Sequence, residues 1–349
     1  MNARVWVARN LAAALLAGTW TPAALARRAE QFLGRSTRKS QKALIRDLLQ
    51  RYSAIYPPSP AWLVDFFLGA EQFDQASAAV IANARDIHPI LKPAKFAPAA
   101  PFKGLDVPRL STPGDLASWL GISIDELDWF ADAKHQHGRT SIPVLQHYSY
   151  AFAPKRTGPP RLIEAPKPRM KALQKRILHE LLDTIPVHPC AHGFVGGRSC
   201  LSAAQAHAGE FLVATVDLKD FFLNTPLQRV HGIFRSIGYP WTVARLLTGM
   251  CSSSTPMSVF TRVPEANRHD WLTRKIYQAP HLPQGAPTSP ALANLVAWRL
   301  DVRLHGLANA FDAKYTRYAD DLAFSGDHTF ARKINSFLPA VEDIAQAEG

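Results

Sequence analysis

Apolar residues recur at helical spacing from residue 8 to about 87, as at Leu44, Ile45, Leu48 and Leu49. Thr21-Pro22 and Ser59-Pro60 each have the form of an N-cap followed by proline in the first helical turn. The pattern predicts an all-helical N-terminal unit over residues 1–88. Pro89, Pro93, Pro98, Pro101, Pro108 and Pro113 follow at a density that neither a helix nor a central strand accommodates, so residues 89–114 are expected to form an extended, semi-rigid linker. Within residues 115–147, Leu116 to Leu120 and Ile124 to Ala131 read as two short helices separated by Gly121. Ser123 and Glu126 stand at capping-box spacing at the start of the second. The pair has the outline of a packing element and also of a helix-turn-helix.

From Tyr148 the texture changes to short runs broken by turn residues. Tyr148 to Pro154, the turn Thr157-Gly158-Pro159-Pro160, and Arg161 to Glu164 predict a hairpin. Phe211 to Val216 reads as a buried-type strand ending on Asp217, Pro290 to Leu307 as one long helix, and Tyr315 to Ser325 as a second hairpin straddling Asp320-Asp321. Strands that end in acids and alternate with helices predict an α+β fold.

Composition narrows the class. With 349 residues, 47% of them hydrophobic, the chain can bury a sizeable core, which excludes wholesale disorder. Its 40 Lys+Arg against 28 Asp+Glu leave a net charge of +12, which suits a polyanionic partner. Eight of those cations (Lys155, Arg156, Arg161, Lys167, Arg169, Lys171, Lys175 and Arg176) fall within 22 residues against one acid, Glu164. Cys190, Cys200 and Cys251 form no CxxC pair and have no histidine at zinc-ligand spacing, so a reducing, cytoplasmic setting is expected, without a disulfide framework or structural zinc. Arg4, Arg9 and the apolar stretch Leu11 to Ala17 resemble a signal peptide in outline, but the Thr21-Pro22 helix start accounts for the same residues. No apolar run reaches the ~18 residues of a membrane span.

Adjacent carboxylates at the tip of a tight hairpin repel one another unless a cation binds them. Asp217 closes a strand of the kind that lies beside that hairpin in one sheet. Three carboxylates converging there have the donor set for two Mg²⁺ ions, the arrangement that activates a 3′ hydroxyl and stabilises a pyrophosphate leaving group. Taken singly, each acid reads as a turn former or a surface charge; the three together in this context do not.

Tyr318-Ala-Asp-Asp321 resembles the YxDD motif of reverse transcriptases, and Asp217-Leu-Lys-Asp-Phe-Phe222 resembles their first palm motif. Leu282-Pro-Gln-Gly-Ala-Pro-Thr-Ser-Pro-Ala-Leu-Ala-Asn294 is similar to the LPQGxxxSPxLxN motif between them. The resemblance implies fingers and an antiparallel palm sheet with helices over residues 148–349, ending before a thumb. It also implies Asp217, Asp320 and Asp321 as catalytic metal ligands, with the backbone carbonyl of Leu218 as a further ligand, and Mn²⁺ as a possible substitute for Mg²⁺. Phe222, five residues after Asp217, would be the steric gate that rejects a 2′ hydroxyl. Gln284 and Gly285 would contact the incoming nucleotide, glycine allowing a close backbone approach. Lys155 and Arg161 match positions that hold the dNTP triphosphate, and Arg156 can take the place of Lys155. Arg156, Lys167, Arg169, Lys171, Lys175, Arg176 and, by the same resemblance, Arg198 would grip nucleic-acid backbone.

Within that family the stretch Tyr150 to Gln174 and His192-Gly-Phe-Val-Gly-Gly-Arg-Ser199 resemble bacterial retron enzymes, as does the N-terminal Leu15-Leu16-Ala-Gly-Thr-Trp-Thr-Pro22. Ala203-Ala204-Gln205-Ala206-His207 departs from the retron Asn-Ala-x-x-His motif at its first position. The retron type implies copying of a cognate structured RNA into branched single-stranded DNA, primed from a 2′ hydroxyl, in antiphage defence and with a possible effector protein encoded nearby. Group II intron, diversity-generating and abortive-infection polymerases share the same motifs. An RNA-binding palm without polymerase activity and a template-independent nucleotidyltransferase are the other classes compatible with them.

Overall fold

The computed structural model describes every residue except 1–2, 18–19, 53–57, 59, 83–93, 133–135, 137–139, 141, 156–158, 264–268 and 349. The chain forms two compact units, one of residues 1–103, 109–129 and 234–247, the other of residues 104–108, 130–233 and 248–349.

The first unit opens with five helices: α1 (Ala3–Leu16), α2 (Pro22–Leu33), α3 (Arg38–Arg51), α4 (Pro60–Gly69) and α5 (Glu71–Ala82). The Thr21 hydroxyl accepts the Ala24 N–H, and Pro22 occupies the first turn, where a missing backbone donor is least felt. Leu11 and Leu15 of α1, Leu25, Leu44, Leu48, Leu63, Phe67 and Phe73 share one apolar core. Helices thus occupy most of the described part of residues 3–82, and Leu11, Ala12, Leu15 and Leu16 belong to that core. Ser59, Pro89 and Pro93 lie outside the described residues.

Residues 94–112 run extended and irregular, with one tight turn at Ala100–Phe102. The Ala97 and Ala99 amides donate to the carbonyls of Gly238 and Ser236, both at 2.8 Å. Gly238, at φ +125°, leaves no space for a Cβ against Pro98. This part of the proline-rich stretch is thus tied to the chain near residue 238. Two short helices follow, α6 (Pro113–Leu120) and α7 (Ile124–Phe130), with Gly121 left-handed between them at φ +70°. The expected reciprocal cap is formed: Glu126 accepts the Ser123 N–H at 2.9 Å and Ser123 accepts the Glu126 N–H at 3.2 Å.

In the second unit β1 (Tyr148–Ala153) and β2 (Arg161–Pro166) pair antiparallel, from Tyr148 opposite Pro166 to Ala153 opposite Arg161. The residues of their turn, Arg156, Thr157 and Gly158, lie outside the described residues. Helix α8 (Pro168–Glu180) follows, with the Gln174 amide donating to the Tyr148 hydroxyl at 2.8 Å and to the Met250 carbonyl at 2.9 Å. After α9 (Cys200–His207) come β3 (Leu212–Asp217), then α10 (Leu227–Ile237) and α11 (Trp241–Met250), of which residues 234–247 belong to the first unit, and the short α12 (Met257–Phe260) and α13 (Trp271–Gln278). The chain then forms α14 (Ser289–Val296), α15 (Trp298–Ala310), β4 (Lys314–Tyr318), β5 (Asp321–Gly326) and α16 (His328–Glu348).

A three-stranded antiparallel sheet in the order β3-β5-β4 is built from these, giving the mixed helical and antiparallel architecture that the sequence pattern predicts. Its covered face supplies Leu322 and Phe324 to a core with Leu300 and Leu304 of α15 and Phe330 and Phe337 of α16. The other face leaves Val213, Thr215 and Asp217 of β3 exposed. His207 fastens α9 to the sheet: its ring nitrogens lie 2.7 Å from the Ser325 and the Thr316 hydroxyls, on two neighbouring strands. Its match to the retron motif thus falls on a fastening residue.

One expectation is corrected. The helix read over Pro290 to Leu307 is two, parted at Ala297. Bonds of i→i+4 type still enter and leave that residue, Ala297 N–H to Ala293 O and Asp301 N–H to Ala297 O. The parting is therefore a bend, with no glycine or proline to mark it in the sequence. Among the described residues no helix is long and apolar enough to cross a membrane.

Candidate active site

The acids meet through strand register. Asp217, the last residue of β3, stands opposite Asp321, the first of β5, while Ala319 and Asp320 make the two-residue turn between β4 and β5. That turn requires a left-handed residue, and Ala319 takes the position at φ +57°. Two donors hold it from behind: the Leu218 N–H reaches the Asp320 carbonyl and the Arg317 guanidinium reaches the Ala319 carbonyl, each at 3.0 Å.

Arg317 is the largest fully buried side chain of the described residues and joins four segments. It pairs with both oxygens of Asp301 on α15 at 2.8 and 2.7 Å and donates to the Asn294 side chain on α14 at 2.8 Å. The Phe221 ring lies 5.7 Å from it. Asn294 in turn donates to the Gly193 carbonyl at 2.9 Å, and the His192 N–H donates to the Arg317 carbonyl at 2.7 Å. A Cβ on Gly193 would sit 2.5 Å from the Ala319 nitrogen, so only glycine allows this approach. Gly193→Ala is accordingly expected to push the turn aside and, for the polymerase that the sequence resemblance implies, to lower kcat for primer extension about 10²-fold. Steady-state kinetics beside a thermal melt checks it, and an unchanged kcat would show that the turn tolerates the added methyl.

In front of the acids is a cleft of about 330 Å³. It brings together Lys155, Arg161, Asp217, Phe222, Gln284 and Asp320 from β1, β2, β3 and the loops around them. Asp321 faces a separate groove of about 350 Å³ with Tyr318, Thr215 and α9. The electrostatics agree with a cation site. Burial first, then the charges of Asp320 and Asp321, with Asp220 adding, raise the Asp217 carboxyl above its ordinary value against the opposing pull of Lys155. Exposed carboxylates repelling one another on adjacent strands form a hard-oxygen donor set that fits a divalent metal.

Gln284 lines the cleft, and Gly285 beside it packs on β2. At φ +133° its missing Cβ would lie 2.8 Å from the Glu164 carbonyl, and the Glu164 N–H donates to the Gln284 carbonyl at 2.9 Å. The glycine therefore seats the Gln284 loop on the hairpin. The basic segment divides likewise. Lys171 and Lys175 are exposed one helical turn apart on α8. Arg169 covers the Phe130 ring at 5.6 Å, Arg176 pairs with Glu180 at 3.0 Å, and Lys167 donates to the Pro143 carbonyl. Arg198 donates to the carbonyls of Pro189 and Ala191, stapling its own loop. Arg156 lies outside the described residues.

Sequence reading missed a buried link under the cleft. Glu164 accepts from the Thr255 hydroxyl at 2.8 Å and from His281 Nε2 at 2.6 Å, while His281 Nδ1 faces the Ala279 carbonyl at 2.8 Å. Both ring nitrogens meet oxygens, which an imidazolium satisfies. Burial alone would lower the His281 pKa, but Glu164 and the Ala279 carbonyl outweigh it and raise the pKa. The single acid in a basic run was the available signal. His188, Cys190 and Asp301 also offer ligand atoms within 4.8 Å of one another. Asp301, however, is engaged by Arg317 and by the Tyr315 hydroxyl at 2.9 Å, and burial first pushes the Cys190 thiol pKa up, so the cluster reads as hydrogen-bonded core.

An acid pair at a hairpin turn, a third acid on the neighbouring strand and an aromatic-lined cleft holding Lys155 and Arg161 thus meet at one end of the three-stranded sheet. The family profile described as reverse transcriptase (RNA-dependent DNA polymerase) matches residues 153–349, and the chain belongs to that family. Its similarity extends to the Retron Mx65 reverse transcriptase of Myxococcus xanthus, 41% identical over 229 residues, covering 64% of this chain and 50% of that one. The Retron Mx162 reverse transcriptase of the same organism is 38% identical over 243 residues (67% and 47% covered). The Retron Ec86 reverse transcriptase of Escherichia coli is 29% identical over 238 residues (67% and 63%). The resemblance to the retron type is thus borne out, and the chain spans about half the length of the first two relatives. Family membership implies dependence on a divalent metal.

Proposed function

We propose that the chain is an RNA-directed DNA polymerase of retron type, copying a cognate structured non-coding RNA into branched multicopy single-stranded DNA. The observation that carries this is the convergence of Asp217, Asp320 and Asp321, 104 residues apart in sequence at their extremes, beside the cleft that holds Lys155, Arg161, Phe222 and Gln284. The relatives named above support the retron assignment.

In this reading the three-stranded sheet is the palm and the β1–β2 hairpin with α8 the fingers. Residues 1–88 are a helical extension, 89–114 a linker and 115–147 the approach to the fingers. Asp217, Asp320, Asp321 and the Leu218 carbonyl hold two Mg²⁺ ions, which when bound supply activation of the attacking hydroxyl and charge neutralisation on the leaving pyrophosphate. Lys155 and Arg161 bind the dNTP triphosphate, the arginine fork matching phosphate oxygens. Gln284 orients the nucleotide from the loop seated on Glu164. Exposed Lys171, Lys175 and Arg169 contact template backbone, and each phosphate so neutralised adds to the salt dependence of binding. The free thiols Cys190, Cys200 and Cys251 fit a cytoplasmic setting. Antiphage defence with a separately encoded effector is the biological role proposed.

The test is dNTP incorporation by the purified protein on its own co-expressed RNA with Mg²⁺. A folded protein that binds structured RNA yet incorporates nothing, even with Mn²⁺, would leave an RNA-binding palm. Product insensitive to template sequence would instead indicate a template-independent transferase. Phe222 lines the cleft, which supports its reading as the ring that a 2′ hydroxyl would meet. Phe222→Ala is expected to raise the ratio of rNTP to dNTP kcat/KM about 10²-fold, read from single-nucleotide additions.

A further inference from the structure

We infer that Phe194 is a nucleic-acid contact of this site, its ring set against a base of the terminal pair of the bound primer–template duplex. The inference rests on the polymerase reading above and extends it to a residue outside the three motifs.

Phe194 has a backbone φ of +59°, in the left-handed region that bulky side chains avoid. A conformation of that kind persists only where its surroundings impose it, and such positions gather at functional sites. Here the imposition is visible. Immediately before Phe194, the Gly193 carbonyl accepts from Asn294 at 2.9 Å and its Cα packs on Tyr318 and Ala319 too closely for a Cβ. Immediately after it, the Val195 carbonyl accepts the Arg198 N–H at 3.1 Å. A core phenylalanine could recover the cost of the strain by burying its ring, but this one remains 57% exposed.

Its position gives the exposure a use. The ring centroid lies 6.3 Å from Phe222 and 6.4 Å from Tyr318. Phe222 lines the cleft that holds Lys155 and Arg161, whereas Tyr318 and Asp321 line the groove on the other side of the acids. Phe194 itself lines neither and stands at their border. A reacting chain end must lie there, between the incoming nucleotide and the face of the sheet. Aromatic rings contact bases and sugars whatever the sequence, a property suited to copying any template.

Phe194→Gly separates the two roles, because glycine adopts φ +59° freely. With the full chain and an RNA template annealed to a DNA primer, the variant is expected to keep or raise the thermal midpoint. Its duplex affinity should fall about 10-fold, and Phe194→Trp should restore it. A lower midpoint with unchanged duplex affinity would make the ring a packing element and overturn the proposal. So would an unchanged duplex affinity with a raised KM for dNTP, which would assign the ring to the incoming nucleotide. Duplexes with an abasic nucleotide ending the primer, or opposite it in the template, tell which strand the ring touches: the variant's deficit shrinks for the strand it contacts, and a deficit unchanged by both overturns the contact. Wild-type protein that neither binds nor extends the duplex overturns the polymerase reading and this inference with it, an outcome distinct from a selective effect of Phe194→Gly.

Discussion

Asp320→Asn is expected to reduce dNTP incorporation by at least about 10³-fold while leaving the fold intact. The substitution keeps the shape of a turn residue and removes one negative charge. Nothing buried depends on that charge: the Asp320 carbonyl, which the Leu218 N–H holds at 3.0 Å, is backbone and survives the change. Asp320 is also one of the charges that raise the Asp217 carboxyl, so its loss relieves repulsion in the folded protein. Activity and stability should therefore move apart, with extension lost and the thermal midpoint unchanged or higher. Single-turnover incorporation alongside a melt reads both. A variant within about tenfold of wild type would mean that the turn acid is not needed for chemistry, and the assignment of the metal site would fail.

Arg317→Met is expected to be the most destabilising substitution proposed here, at about 3–5 kcal/mol, a fall of the thermal midpoint on the order of 10 °C. Removing the guanidinium leaves Asp301 charged and fully buried, with the Tyr315 hydroxyl as a remaining donor. Asn294 Oδ1 and the Ala319 carbonyl lose their donor as well. The companion Asp301→Leu/Arg317→Met pair removes the stranded charge and should recover a large part of the loss, because replacing both members of a buried pair costs less than breaking it. A double variant no more stable than the single one would show that packing, and not charge, dominates at this position. Because Arg317 also holds the turn, the double variant should regain stability without regaining full activity, so measuring both separates support of the fold from placement of the acids.

Much of this arrangement was legible beforehand. The YxDD turn is local: two strands joined by two residues carry their own pattern, so the hairpin around Asp320 follows from Tyr315 to Ser325 alone. The helix starts at Thr21-Pro22 and Ser123 are likewise written in caps that act within four residues. Contacts between distant segments were not legible. Nothing near Arg317 in sequence announces Asp301, Asn294 or Gly193, and Glu164 meets His281 across 117 residues. Basic residues carry a related ambiguity, since a cation looks the same whether it awaits phosphate, as Lys171 and Lys175 do in the proposed function, or is occupied with a carbonyl, as Lys167 and Arg198 are. The bend at Ala297 was hidden for a simpler reason: alanine suits both of the helices that it joins.

The β3-β5-β4 order carries a kinetic consequence. The β4–β5 hairpin can close as soon as it is made, but β3, whose sheet neighbour is β5, must wait while the 104 residues between Asp217 and Asp321 are synthesised. At a translation rate of about 5–20 residues per second that is roughly 5–20 s with an unpaired strand edge. Asp217, Asp320 and Asp321 are therefore brought together among the last parts of the second unit to assemble, so a nascent chain stalled in that interval holds the Asp217 strand without the turn that carries the other two acids.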